Sequence, residues 1–199
     1  MPLCQPCEVS ETATTSPASR ATAICTAAIP VFAAQGFRGT SMADLAAAAG
    51  VSRPALYQYF ENRADLFRAA FGALLDHGTD RALAALMEPA PLIDQLDGFL
   101  QRLSGDAYEQ LAATSHGDEL MEAKHEFAAD VAANAIARAH AGLHSHLMER
   151  GFDHQQVGAV VELVTLSPIG LKSDHPSAAV YRERLSSLAH AAAGLLNHT

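Results

Sequence analysis

The chain has little of what marks a membrane, secreted or disulfide-stabilised protein. Its 199 residues contain no apolar run of about 18 residues, so we expect no membrane-spanning helix. Residues 1–19 lack both the basic and the apolar region of a secretory signal, and we therefore expect a cytoplasmic location. The three cysteines are too few and too clustered for a disulfide framework. Cys4 and Cys7 have C-x-x-C spacing, but no second ligand pair lies near them, so a reduced tail is favoured over a metal or redox role.

Signatures of catalysis are also missing. The sequence shows no combination of nucleophile, base and orienting carboxylate, and no Gly-rich phosphate loop. We therefore expect neither an enzyme nor a bound cofactor. Hydrophobic residues make up 49% of the chain, which is enough for a buried core. They recur at helical spacing without an alternating strand pattern, so an all-α fold is predicted.

Charge is divided unevenly along the chain. The formal net charge is −9, yet residues 1–68 hold five arginines against five carboxylates and are neutral. The whole negative excess, and all ten histidines, therefore lie in residues 69–199. This asymmetry suggests different tasks for the two parts, and a neutral first part permits a nucleic-acid partner.

The first helix is predicted from residue 19 to near Gln35. Its apolar face is formed by Ala21, Ile24, Ala28, Val31 and Phe32. Gly36 is a natural left-handed stop, and the loop after it offers Phe37 to the core. Pro30 is the discordant residue, because a proline inside a helix removes one hydrogen bond and costs about 3 kcal/mol. We expect a kink at Pro30 or an earlier break.

Two short helices joined by a tight turn follow this loop. Ser41 and Asp44 match a capping box at the start of the first, and Gly50 ends it. Ser52 caps the second helix, with a proline in its first turn. Leu56 and Phe60 lie four residues apart and are predicted to face the core. This pattern is typical of a helix-turn-helix, whose second helix fits the major groove of DNA.

Ten residues of this segment are candidates for DNA contact: Thr40, Ser41, Ser52, Arg53, Pro54, Ala55, Tyr57, Gln58, Tyr59 and Arg63. The planar guanidinium group of Arg53 can form two hydrogen bonds with one guanine base, and Pro54 or Ala55 can contact a thymine methyl group. Contacts with DNA phosphates are predicted for the tyrosine hydroxyls, for the helix start at Thr40 and Ser41, and for Arg63. Because the segment has few arginines and no lysine, its salt dependence should be shallow. The alternative is a compact helical hairpin that binds no DNA.

From Arg20 to Phe71 the sequence resembles the DNA-binding domain of the tetracycline-repressor (TetR) family of bacterial transcriptional regulators. The resemblance is carried by AAIPVFAAQGFRGTSMADLAAAAGVSRPALYQYFENRADLF, about a quarter of the chain. The matching positions include Phe32, Gly36, Phe37, Gly39, Thr40, Ser41, Ala46, Gly50, Val51, Ser52, Leu56, Tyr57, Tyr59 and Phe60. Two residues depart from the family pattern: Pro30 stands in place of a helix former, and Arg63 stands where lysine is commoner.

The resemblance implies an N-terminal three-helix domain and a C-terminal helical domain that binds a ligand and dimerises. We therefore divide the chain into a disordered arm (residues 1–18), a DNA-binding domain (19–65) and an effector-binding and dimerisation domain (66–199). The resemblance also implies a repressor that binds a palindromic double-stranded DNA operator as a homodimer, paired through its last two long helices. A small-molecule effector then releases it.

The helices after the helix-turn-helix are predicted from the spacing of apolar residues and from the residues that end a helix. One opens with a cap at Asn62 and Asp65 and ends at the Pro-rich run after Met87. The others are expected over residues 92–103, 106–113, 118–150, 157–166 and 177–196. The helix over 118–150 is predicted to be the longest, and Pro168 is expected to stop the helix that begins at residue 157.

The residues assigned to the effector are mostly apolar: Phe71, Phe99, Leu103, Tyr108, Met121, Phe127, His144, Met148 and Leu163. They favour a lipophilic or aromatic effector, although the core of any helical bundle needs such residues. His140 and His144 share a helix face at a spacing that can hold a transition metal. A metal-responsive regulator and a ligand-binding bundle that does not act through DNA are therefore the alternatives.

Overall fold

The protein is all-α in the part that the structure, a computed structural model, describes, which is residues 16–197; no strand occurs there. The helices are α1 (Pro17–Gly39), α2 (Met42–Ala48), α3 (Arg53–Leu56), α4 (Arg63–Leu86), α5 (Leu92–Leu100), α6 (Asp106–Ala112), α7 (Gly117–Phe127), α8 (Ala129–Glu149), α9 (His154–Gly170) and α10 (Ala178–Asn197). No helix in this range is both long and apolar enough to cross a membrane.

Two hydrophobic clusters organise these helices. The head cluster joins α1 to α4, and its large buried side chains are Ile24, Phe32, Phe37, Met42, Leu45, Leu56, Phe60, Leu66 and Phe67. The body cluster joins the end of α4 to α5, α8, α9 and α10, and its large buried side chains are Leu86, Leu96, Phe99, Leu100, Leu143, Leu147, Val157, Val160, Val161, Val164, Tyr181, Leu185 and Leu196. Helix α4 contributes to both clusters, so it links them mechanically.

The start of α1 lies slightly earlier than expected. Its first residue is Pro17, and the Ser16 side chain accepts a hydrogen bond from the Ser19 backbone N–H at 3.2 Å. Residues 17 and 18 are therefore helical, whereas residues 1–15 of the predicted disordered arm, with Cys4 and Cys7, lie outside the described residues.

Neither a break before Pro30 nor a kink at it is found. Within α1 the one residue with non-helical backbone angles is Gly36, with φ of 73° and ψ of 171°. Pro30 and Thr26 are both exposed, so water can satisfy the Thr26 carbonyl that has lost its partner. The regular helix is thus interrupted at Gly36, where the sequence predicts its end, but α1 continues beyond this kink to Gly39. Phe37 is buried as expected.

The prediction of one long helix over residues 118–150 is wrong. It is two helices, α7 and α8, separated at Ala128, whose φ and ψ are −137° and 20°. Helix α7 packs on the head cluster through Ala123 and Phe127. Helix α8 instead follows α4, with an ion pair between Arg68 and Asp130. One straight helix cannot lie along both surfaces, and the fully buried Ala128 takes up the change in direction.

Two other predicted boundaries are corrected. A π-helical segment, Gln101–Gly105, joins α5 to α6 in place of the expected break. Helix α9 runs past Pro168 to Gly170 rather than stopping before the proline. Pro168 is buried, and its carbonyl accepts a hydrogen bond from the Tyr181 hydroxyl at 3.1 Å. Packing on α10 therefore offsets the hydrogen bond that the proline removes.

Candidate nucleic-acid interface

Helix α2 is fixed at its start by the predicted capping box. The Ser41 hydroxyl oxygen accepts a hydrogen bond from the Asp44 N–H at 3.2 Å, and the Ser41 N–H donates to Asp44 Oδ2 at 2.9 Å. The Ser41 hydroxyl, followed by its backbone N–H, lowers the pKa of Asp44, so this carboxylate remains ionised at neutral pH. Met42 and Leu45 bury the inner side of the helix.

The turn between α2 and α3 is closed by backbone hydrogen bonds. Gly50 has φ of 62°, a value that favours glycine, and the Val51 N–H donates to the Ala46 carbonyl at 3.0 Å. The Ser52 hydroxyl then accepts a hydrogen bond from the Ala55 N–H at 3.3 Å and caps α3. The predicted roles of Gly50 and Ser52 are confirmed.

Helix α3 and the turn after it present one side to solvent. Leu56 and Phe60 are buried in the head cluster, as predicted. Most candidate DNA-contacting residues of this segment lie on the other side: Ser52, Arg53, Pro54, Tyr57 and Gln58 are exposed, and Ala55 is half-buried. Tyr59 is half-buried and packs on the head cluster instead, so its predicted outward position is not found. The structure therefore brings six of the seven residues together on one accessible surface, which we call the α3 face.

Arg53 lies at the N-terminal end of the α3 face. Its guanidinium group is 5.7 Å from the centre of the Tyr57 ring, and Nη2 donates a long hydrogen bond of 3.4 Å to the Tyr57 hydroxyl. Neither residue has another side-chain partner within residues 16–197. The donors of Arg53 are therefore largely free to bind a planar acceptor.

Thr40 and Arg63 lie behind this face and have internal partners. Thr40 is buried, and its hydroxyl donates to the Gly36 carbonyl at 2.6 Å. Arg63 Nη1 donates to the carbonyls of Arg38 and Thr40 at 2.9 and 2.7 Å. The Arg63 guanidinium also lies 4.3 Å from the centre of the Phe37 ring. Arg63 thus braces the segment between α1 and α2 against the start of α4, a role that its position in the sequence did not reveal.

A second support for this segment comes from α7. Glu119 accepts a hydrogen bond from the Arg38 backbone N–H at 2.5 Å, and Glu122 forms an ion pair of 3.1 Å with the Arg38 side chain. The Thr114 hydroxyl, just before α7, donates to the Ala33 carbonyl. The entrance to α2 is therefore held from two sides, by α4 and by α7.

The nine residues assigned to an effector do not form one group. Phe99, Leu103, Tyr108 and Met148 belong to or pack on the body cluster, whereas Phe71 and Phe127 pack on the head cluster. Met121 and Leu163 are half-buried outside both clusters, and the ring of His144 lies 5.7 Å from the ring of His154. Two open grooves, of about 420 and 400 Å³, flank Asp65 and Arg68, and Phe127 lines the second.

The histidines give the metal alternative no support. His140 and His144 lie one turn apart on α8, as predicted. Among residues 16–197, however, no group of three or more His, Cys, Asp or Glu side chains is arranged to hold a metal ion. Cys25 is buried, and burial, with a smaller effect from Asp65, raises its pKa to about 11, so it remains a protonated thiol at neutral pH.

The braced α2, the closed turn and the accessible α3 face define a helix-turn-helix of the DNA-binding class. Residues 24–70 match the family described as "Bacterial regulatory proteins, tetR family". Residues 24–70 therefore match the DNA-binding domain of this family, which confirms the resemblance seen in the sequence.

Similar proteins of known sequence are named as HTH-type transcriptional regulators. The chain is 34% identical over 111 residues to the HTH-type transcriptional regulator TtgR of Pseudomonas putida, covering 54% of this chain and 51% of TtgR. The chain thus spans about half the length of the curated relatives it matches.

Solved structures share the fold over most of the chain. A TetR-family transcriptional regulator from Mesorhizobium loti MAFF303099 is 20% identical with a TM-score of 0.59, covering 89% of this chain and 96% of that one. Salmonella enterica GusR is 22% identical with a TM-score of 0.58, covering 92% and 98%. At these identities the likeness shows the fold, which is an N-terminal helix-turn-helix with a C-terminal helical body.

Proposed function

We propose that the protein is a transcriptional repressor that binds a palindromic DNA operator as a homodimer and is released by a small-molecule effector. The observation that carries this proposal is the α3 face. Contacts from α4 and α7 hold the segment that precedes α2 in place, and the side chains of the α3 face are accessible to solvent. A plain helical hairpin needs the buried Leu56 and Phe60, but it needs neither the accessible Arg53 nor the exposed Tyr57 beside it.

The α3 face suggests how the contacts are divided. Arg53, Pro54 and Ala55 enter the major groove, while Ser52, Tyr57 and Gln58 lie towards the phosphates or the groove edge. We retain Thr40, Ser41 and Arg63 as phosphate-proximal residues. Because their side chains already have internal partners, their contribution is to place backbone groups and α3 at the correct distance from DNA.

DNA from around the protein's own gene is the first test. At low salt we expect the purified protein to shift this DNA and to prefer it over a scrambled duplex of equal length. The affinity should fall only modestly with salt, because residues 1–68 are neutral and contain no lysine. Absence of any shift at low salt would leave the ligand-binding bundle that does not act through DNA as the better interpretation.

A homodimer is supported by apolar side chains on the outer faces of the last two helices. Leu166 and Ile169 of α9 are 56% and 57% exposed, and Val180 and Leu195 of α10 are 41% and 50% exposed. The inner faces of the same helices are buried in the body cluster. A second copy packed against the outer faces would cover these side chains and set two α3 faces about one duplex turn apart.

Charges on this outer surface should separate the subunits. We expect the double variant Ile169→Glu/Leu195→Glu to be monomeric at micromolar concentration, because two carboxylates per subunit would be buried without partners. Light scattering measures the mass. Met87→Glu is the matched control, since Met87 is 75% exposed at the end of α4, and it should remain dimeric. A monomeric wild-type chain would contradict the proposal.

Effector binding is proposed to act through α4. This helix begins at the Arg63 brace and ends in the body cluster, so a ligand that displaces its middle would change the separation of the two α3 faces. Phe71 and Leu74 are the residues against which a ligand would press. A coupling free energy of about 1–3 kcal/mol would weaken DNA binding some 5- to 150-fold.

A further inference from the structure

Arg53, the arginine of the α3 face, has a neutral partner. Seven of the eleven arginines in the chain form an ion pair with a carboxylate. Within residues 16–197 the side chain of Arg53 instead contacts the ring and the hydroxyl of Tyr57. A carboxylate would neutralise the guanidinium group and compete with DNA for its donors. Tyr57 holds the group without cancelling its charge.

The backbone of α3 aligns these two side chains. The Tyr57 N–H donates to the Arg53 carbonyl at 3.2 Å, so Tyr57 lies one helical turn after Arg53 and on the same side. Leu56 and Phe60 are buried in the head cluster and fix the backbone on either side of Tyr57. The Tyr57 ring therefore stays on the α3 face, where it is 44% exposed.

The contacts with Tyr57 leave Arg53 able to bind a base. Its guanidinium carbon lies 5.7 Å from the centre of the Tyr57 ring, within the range of a cation–π contact, and Nη2 donates to the hydroxyl at 3.4 Å. A guanidinium group has more N–H donors than this contact and a bidentate bond to guanine use together. Because Tyr57 already restricts the Arg53 side chain, less rotamer freedom is lost when DNA binds.

We propose that Tyr57 is a positioning residue that holds the Arg53 guanidinium group for base readout. This inference rests on the proposed function, in which Arg53 enters the major groove. Tyr57 can lie at the groove edge and still determine sequence preference, because its effect passes through Arg53. A tyrosine that binds a phosphate by itself would instead raise the affinity for every DNA sequence alike.

A double-mutant cycle with Arg53 tests the proposal. Fluorescence anisotropy measures the affinity of the full chain for the duplex from around its own gene and for a scrambled duplex of equal length. Tyr57→Leu should weaken binding to the first duplex about tenfold, because a homodimer contains the pair twice and each pair contributes a factor of about three. Binding to the scrambled duplex should change less than about twofold. In an Arg53→Ala background, Tyr57→Leu should have no further effect.

A conservative variant and a control accompany this cycle. Tyr57→Phe keeps the ring and removes the hydroxyl, so it should recover part of the affinity that Tyr57→Leu loses. Met87→Ala shortens a side chain that is 75% exposed at the end of α4, and it should bind both duplexes as wild type does. Tyr57→Leu should unfold at the same temperature as wild type, because Tyr57 belongs to neither hydrophobic cluster.

NMR of the free protein tests the pair without DNA. An aromatic ring shifts the signals of the protons that lie near its face, so the side-chain signals of Arg53 should move in Tyr57→Leu. The same signals should stay in place in Met87→Ala. Arg53 signals that are unchanged in Tyr57→Leu would show that the pair does not form in solution, and would overturn the proposal.

A second outcome would also overturn it. If Tyr57→Leu weakens binding equally on both duplexes, and does so in the Arg53→Ala background as well, Tyr57 is an independent phosphate contact. Absence of any DNA shift by the wild-type chain would instead overturn the proposed function. The NMR result would stand in that case, so the two failures can be told apart.

Discussion

Gly36→Ala is expected to destabilise the protein by about 3 kcal/mol. With φ of 73° and ψ of 171°, Gly36 occupies a region that is essentially restricted to glycine, and an alanine there costs about 1–3 kcal/mol. The new β-carbon would also collide with Glu119 Oε2 and His116 Nδ1. Glu119 would have to release the Arg38 N–H, a charge-assisted hydrogen bond worth about 1.5–3 kcal/mol before allowance for its exposure.

Urea unfolding measures this loss, and Gly50→Ala is the control. Gly50 also has a positive φ, of 62°, but a β-carbon there meets nothing within 4 Å. We expect Gly50→Ala to lose about 1 kcal/mol of stability, because it adds backbone strain at a positive φ but no steric contact. Equal losses in the two variants would show that the contact between α7 and the entrance to α2 contributes nothing to stability.

Arg53→Ala is expected to abolish specific DNA binding without unfolding the protein. One bidentate contact to guanine is worth about 1–3 kcal/mol, and a homodimer makes it twice, so the affinity should fall roughly 30-fold to 10⁴-fold. The fold should be unaffected, because the side chain of Arg53 contacts only the exposed Tyr57 among the residues that the structure describes.

Two variants identify what Arg53 contacts. Arg53→Lys keeps the charge but loses the planar fork, so it should recover little of the specific affinity if the contact is to a base. Arg20→Ala changes the charge equally and should leave binding near wild type. Fluorescence anisotropy with operator and scrambled duplexes makes the measurement. Full recovery by Arg53→Lys, with equal losses on both duplexes, would show that Arg53 binds a phosphate.

The corrected helix boundaries share a physical cause. Pro30 and Pro168 are both predicted to interrupt a helix, since a proline removes one intrahelical hydrogen bond. At Pro30 the freed carbonyl faces water, and at Pro168 packing against Tyr181 offsets the loss. The break at Ala128 carries no glycine or proline signal at all. These outcomes depend on what lies opposite each residue, and the local sequence does not record that.

The helix-turn-helix is encoded locally and is therefore predictable from the sequence alone. The caps at Ser41 and Ser52, the turn at Gly50 and the inward pair Leu56 and Phe60 act over at most four residues, so a linear pattern contains them completely. The division of the chain into residues 1–18, 19–65 and 66–199, and the effector residues, stay predictions.

The way this motif is held, and what surrounds it, emerges only when the helices pack. Arg63 braces carbonyls 23 and 25 residues away, and Glu119 reaches Arg38 across 81 residues. Contacts of this kind form when helices pack against one another, and helical spacing fixes which face of a helix is apolar but not which helix will cover it.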